Sequence, residues 1–136
     1  MISCYELRIG NYVLAQNGLQ RIAMINNKAS LPGNTSIDVE NNPAENHTDH
    51  TFANIRPVPL TDDVLKQCGF VYHDYFKFWQ LINGVGNNRS EMDIDRDYNV
   101  LDFMRKPIVK TVSSLHQLQN VYFMLKGKEL DIKLNN

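Results

Sequence analysis

Several residue groups in this chain have the types and spacing to do chemistry. His47-Thr48-Asp49-His50 places two imidazoles and a carboxylate side by side. Such donors suit zinc and similar ions. The spacing fits no standard structural zinc site, and the neighbourhood has loop composition, so a solvated loop is expected and no metal. Cys68 with His73 or His116 supplies the parts of a thiolate–imidazole pair. Yet Cys68 lies just before Gly69, at a helix end, not at the helix N-terminus that lowers a thiol pKa. A reduced core cysteine is expected, as for Cys4. Asp93, Asp95 and Asp97 alternate along one run, and paired carboxylates can exchange protons or hold a hard cation. The same pattern describes the wet face of a strand, which is the expectation. Gly84-Val85-Gly86 lacks the third glycine and the strand–turn–helix setting of a phosphate loop. No catalytic residue and no cofactor emerge, and the chain reads as a non-enzyme.

Two further groups concern binding. Tyr72, Tyr75, Phe76, Phe78 and Trp79 surround Lys77, and aromatics on a sheet can stack nucleic-acid bases. Few cations accompany them. His116, Gln119 and Asn120 are three and four apart and share one helical surface. They offer donors and acceptors to a partner, or to a loop of the same chain. They are the preferred binding residues.

The elements that must position these groups are legible in turn. Leu7 to Asn17 carries alternating Leu7, Ile9 and Val13, interrupted at Gly10-Asn11. Asn17-Gly18 signals a hairpin, with Leu19 to Ile25 returning. From Lys28 to Thr51 the chain is polar, and only Ile37 to Val39 has strand character. Phe52 to Ile55 is a further short strand. Arg56-Pro57-Val58-Pro59 must be extended. Thr61 caps a short helix, Thr61 to Gln67, with Asp62 and Asp63 favouring its positive end. Gly69 and Phe70 close it.

Phe70 to Ile82 is an aromatic strand run with a turn at His73-Asp74. Asn83 to Ser90 is a loop. Met92 to Asp97 is an exposed edge strand with an acidic face. Val100 to Met104 and Ile108 to Val112 are strands. Ser114 and Gln117 form a capping box for the clearest helix, Ser114 to Lys126. Its apolar stripe is Leu115, Leu118, Tyr122 and Leu125, widened by Val121 and Met124. Gly127 ends it, and Glu129 to Leu134 forms a last strand or an extended tail. The sum is an α+β fold: one mostly antiparallel, strongly bent sheet, closing toward a partial barrel, with one short and one longer packed helix.

Composition bounds the rest. With 136 residues, 43% hydrophobic and 21% charged, the chain has the size and content of one domain, residues 1–136, divided near position 56 into an N-terminal β part and a helix-containing part. The net charge of -1 gives no footprint for bulk nucleic-acid or membrane-surface binding. No apolar run reaches a membrane span, and the first residues lack a signal-peptide pattern. Asn34, Asn46 and Asn88 head Asn-x-Ser/Thr triplets that simply mark loops. A cytoplasmic protein is expected.

Three segments carry a resemblance. They are L-R-I-G-N-Y-V at Leu7 to Val13, P-V-P-L-T-D-D-V-L-K-Q-C-G-F at Pro57 to Phe70, and L-H-Q-L-Q-N-V-Y-F-M-L-K-G-K-E-L at Leu115 to Leu130. Together the chain resembles a group of small uncharacterised proteins of phages, prophages and other mobile elements of Bacteroidetes. The resemblance implies a cytoplasmic or virion-associated bacterial protein and transfers no catalytic residue. The function expected is a protein-interaction or assembly module, its partner an unknown protein or a second copy. A nucleic-acid-binding accessory role through Tyr72, Tyr75, Phe76, Lys77 and Trp79 is the alternative. A metal-dependent hydrolase ranks last, and no membrane partner is expected.

Overall fold

The computed structural model describes residues 6–15, 18–26, 36–39, 50–51, 55–82, 90–102 and 104–133. His47 to Asp49, Gly84 to Gly86, Cys4 and the three Asn-x-Ser/Thr asparagines lie outside these residues. So do Asn17, most of the Lys28 to Thr51 segment and Phe52 to Asn54. The fold is α+β with antiparallel pairing, as expected. In place of one bent sheet, the strands form two separate five-stranded sheets, and the end strands of neither sheet pair with each other. The chain divides into two compact units, each discontinuous: Met1–Pro59 with Ser114–Asn120, and Leu60–Ser113 with Val121–Asn136.

The first unit holds β1 (Tyr12–Ala15), β2 (Gly18–Asn26), β3 (Ser36–Val39), β4 (His50–Thr51) and β5 (Arg56–Pro57). Their order is β4-β3-β2-β1-β5. Ala15 pairs with Gly18, so the expected hairpin is present. Gly18 has φ +106, a conformation open to glycine and avoided by other residues. β1 begins at Tyr12, later than the alternation from Leu7 suggests. Residues 9 and 10 turn instead, and Ile9 faces solvent. The interruption expected at Gly10-Asn11 is present, with Gly10 at φ +95, and it ends the alternation rather than bulging it. Pro57 sits on edge strand β5, where a missing N–H costs little. Leu7, Val13, Ala15, Ile22, Val39 and Ile55 form the core.

The second unit holds α1 (Asp62–Gln67), β6 (Val71–His73), β7 (Phe78–Ile82), β8 (Ser90–Asp95), β9 (Val100–Leu101) and β10 (Pro107–Val109). The strand order is β10-β9-β8-β7-β6. α1 is built as its sequence dictates. Val64 N donates to the Thr61 hydroxyl, Gly69 N to Lys66 O, and Phe70 N to Leu65 O. The last two bonds satisfy carbonyls that a helix end leaves bare. β8 is the third of five strands, so the run from Met92 is not an exposed edge. Met92 and Ile94 are buried, and the strand stops at Asp95. The aromatic run splits into β6 and β7 around a turn at 74–77, later than the turn expected at His73-Asp74.

α2 (Leu115–Lys126) is divided between the units after Asn120. Gln117 N donates to the Ser114 hydroxyl, and Gly127 follows the helix with φ +71. Leu115, Leu118 and Tyr122 are buried as expected. Leu125 is 47% exposed and Met124 73% exposed, so the apolar stripe ends a turn early. Helical spacing tells which residues share a face, not how far the core extends along it. Residues 129–133 contain no strand, although Leu130 is buried.

Candidate functional site

The strip His116, Gln119 and Asn120 faces inward within the first unit. His116 and Gln119 are each 2% exposed. The Gln119 carboxamide accepts from Tyr12 N at 2.8 Å and donates to Gly10 O at 3.1 Å. The Asn120 side-chain oxygen accepts from Arg8 Nε at 2.7 Å and Asn11 Nδ2 at 2.9 Å, and its nitrogen donates to Glu6 O at 2.7 Å. Asn11, itself buried, accepts from Arg8 N. The strip is thus a clamp on residues 6–12, whose backbone polar groups turn away from the regular ladder and need partners. Of the two uses foreseen for it, the hydrogen bonds of Gln119 and Asn120 go to the same chain, at residues 6–12.

His116 differs from its neighbours. Neither ring nitrogen has a hydrogen-bond partner among the described residues. Glu6 Oε1 lies 3.6 Å from Nε2, too long for a hydrogen bond. Burial pushes the imidazole pKa down, and the Glu6 carboxylate only partly opposes this. The ring is neutral at neutral pH.

The aromatic group is divided by the pleat of its hairpin. Tyr72 and Trp79 pair across β6 and β7, ring centroids 5.1 Å apart, and Trp79 is buried. They cannot both serve as an open stacking platform. Tyr75 and Phe76 occupy the turn, 89% and 58% exposed, edge to face at 4.9 Å. Lys77 closes that turn at φ +57, with its N–H on His73 O. Arg105, from the loop between β9 and β10, lays its guanidinium over both Phe76 and Phe78, at 4.8 and 4.5 Å from their centroids. The tip therefore gathers two exposed rings and a cation on a ring face, and Met104 and Lys106, which flank that cation in the chain, are exposed as well. Arg105 is far away in sequence from the rings, so no spacing rule reveals it.

Cys68, His73 and Asp95, three of the catalytic candidates, have structural surroundings. Cys68 is buried, and desolvation pushes its thiol up to about 12, far from a nucleophilic thiolate. His73 Nε2 is bonded to Gln80 Oε1 at 2.7 Å. His116 belongs to the other unit. Asp95 accepts from Asp97 N, Asn99 N and Asn99 Nδ2, holding the turn after β8. Asp102 does the same for Met104 N and Lys106 N. No group of metal-ligating side chains gathers among the described residues.

Two clefts open in the second unit. The larger, about 920 Å³, is bordered by a relay in which Tyr122 donates to Glu91 and Lys128 Nζ donates to the same carboxylate at 2.9 Å. Burial first, then Glu91, pushes the Tyr122 hydroxyl up to about 12. The bond to Glu91 raises Lys128 as well. Tyr122 stays protonated and Lys128 charged near neutral pH, so the relay locks the helix to β8 and is not poised for proton transfer. The smaller cleft, about 410 Å³, lies among Asp62, Lys66, Tyr72, Trp79, Arg96 and Tyr98. No family model, curated protein or solved structure matches this chain.

Proposed function

We propose that this chain is a non-enzymatic interaction or assembly module that captures a protein partner with the tip of the β6–β7 hairpin. The observation that carries this reading is the exposed pair Tyr75 and Phe76, fixed edge to face, with Arg105 stacked over Phe76. Exposed tyrosine, phenylalanine, methionine and arginine are the composition of an interface centre. Phe76 already rests against Phe78 and Arg105, and such pre-placement of a ring lowers the ordering cost of binding. Arg105 stacks on Phe76, and the exposed Lys77 and Lys106 follow Phe76 and Arg105 in the chain, so the complementary partner is an apolar pocket with an acidic rim. The resemblance of the three segments supports a phage or mobile-element setting, in the cytoplasm or on the virion.

The test is capture from the native host by wild type and by the triple variant Tyr75→Ala, Phe76→Ala, Arg105→Ala. The variant should lose the partner while its melting transition stays in place. Retention of the same partner by the variant overturns the proposed surface. Loss of self-association on size exclusion would identify the partner as a second copy.

A second reading uses the same tip for single-stranded nucleic acid, favoured by the two exposed rings beside Arg105 and Lys77. It requires steeply salt-dependent binding to single strands. No gel shift at low salt removes it.

A further inference from the structure

The smaller cleft of the second unit is unrelated to the hairpin tip, and its lining has a definite chemistry. Its walls are aromatic. Tyr72 and Tyr98 are half-buried, and the buried Trp79, packed on Tyr72, completes the lining. Its cations are Lys66 of α1 and Arg96 of the turn after β8, both exposed at the cleft. Among the described residues neither has an ion-pair partner. The single carboxylate, Asp62, is engaged by the Tyr98 hydroxyl at 2.7 Å. The cleft thus carries an excess of positive charge beside aromatic faces.

Tyr98 is placed there against its backbone preference. Its φ is +60, a conformation that a bulky side chain rarely adopts. Tyr98 N donates to Asp95 O, and Tyr98 O accepts from Val112 N, so the strained residue is pinned from both sides. Strain of this kind collects at ligand clamps. Burial, reinforced by Asp62, pushes the hydroxyl up to about 12, so it remains a neutral donor and the ring stays uncharged.

We propose that this cleft binds a nucleotide, its base against the aromatic rings of Tyr72 and Tyr98 and its phosphate on Arg96 and Lys66. A volume of about 410 Å³ falls within the range of small-ligand sites. Aromatic rings accept any base face. A guanidinium matches phosphate oxygens through paired N–H donors, and a nearby ammonium adds charge. The nucleotide is either free or the phosphorylated end of a single strand. Both present the same chemistry.

The chain contains one tryptophan, Trp79, which lies in the cleft wall and reports on it directly. Trp79 fluorescence is followed while the full chain is titrated with uridine monophosphate, uridine, inorganic phosphate and a short 5′-phosphorylated oligouridylate. Uridine monophosphate or the oligonucleotide should change the signal saturably, and the tighter of the two names the source. Uridine should bind at least about tenfold more weakly, and Arg96→Gln should weaken the nucleotide by about the same factor. The hairpin variant Tyr75→Ala, Phe76→Ala should respond like wild type, which separates this site from the proposed interaction surface. No saturable change with either phosphorylated ligand at millimolar concentration overturns the proposal. So does equal binding of uridine and its monophosphate, or an unaltered response in Arg96→Gln with an unchanged circular dichroism spectrum.

Discussion

The two units handle side chains of similar chemistry in opposite ways. In the first, polar side chains of α2 turn inward, and Gln119 and Asn120 complete the hydrogen bonds of residues 6–12. In the second, Tyr75 and Phe76 of the hairpin tip and Lys66 and Arg96 of the smaller cleft face solvent. The backbone follows the same division. Positive φ in the first unit is confined to Gly10 and Gly18 among the described residues, whereas the second holds Lys77, Tyr98, Arg105 and Thr111 in that region. A non-glycine residue there costs roughly 1–2 kcal/mol. Glycine is the cheap solution where only a turn is needed. A side chain kept at such a position in spite of the cost points to a use for the side chain, and three of the four belong to the proposed surfaces. In the reading proposed above, recognition falls to the second unit, and the inward-turned polar side chains of the first serve its stability.

This contrast can be broken by measurement. Gln119→Ala removes the partner of Tyr12 N and of Gly10 O, and should destabilise the protein by roughly 2–3 kcal/mol in urea unfolding. A loss below about 0.5 kcal/mol, the scatter of ordinary surface changes, would erase the structural role of the clamp.

The pH dependence of the first unit comes next. His116 has its pKa lowered on folding, so the unfolded chain binds the proton more readily. Stability is fully present above the ordinary histidine pKa of about 6.5 and declines as pH falls from there toward the lower folded value. Urea midpoints measured between about pH 7 and 5 should fall, and His116→Leu should flatten that part of the slope. An identical slope in the variant would assign the effect to other groups.

Tyr75→Ala with Phe76→Ala should change stability by no more than about 1 kcal/mol, because these rings are largely in water already. A loss of several kcal/mol would make the tip a structural cluster rather than a free surface. The smallest effect expected is a gain. Thr111 is β-branched at φ +48, and Thr111→Asn should stabilise by roughly 0.5–1 kcal/mol, since asparagine tolerates this region better. Thermal unfolding reads it. A loss would show that the Thr111 side chain contributes more than its backbone strain costs.

Local signals carried much of the fold. The cap at Thr61, the closing glycine at position 69, the hairpin of β1 and β2 and the start and end of α2 depend on neighbours within a few residues, and all are legible in the chain. The candidate sites were less legible. Gln119 and Asn120 could be seen to share a face, but their partners lie more than a hundred residues away. Tyr75 and Phe76 stood out as aromatics, but nothing in the sequence says that Arg105 covers one of them. Nor does spacing bring Arg96 and Tyr98 beside α1.

By itself, the sequence determined where the two helices begin and stop, because caps and glycines act through bonds and sterics of adjacent residues; strand ends it placed less well. It determined the antiparallel α+β character and the buried start of α2. Only the tertiary structure decided that the strands form two sheets, that β8 is central, and that the polar strip of α2 turns inward. Each of these depends on which remote backbone groups need a partner and where the core ends. Those quantities exist only after the chain has folded on itself.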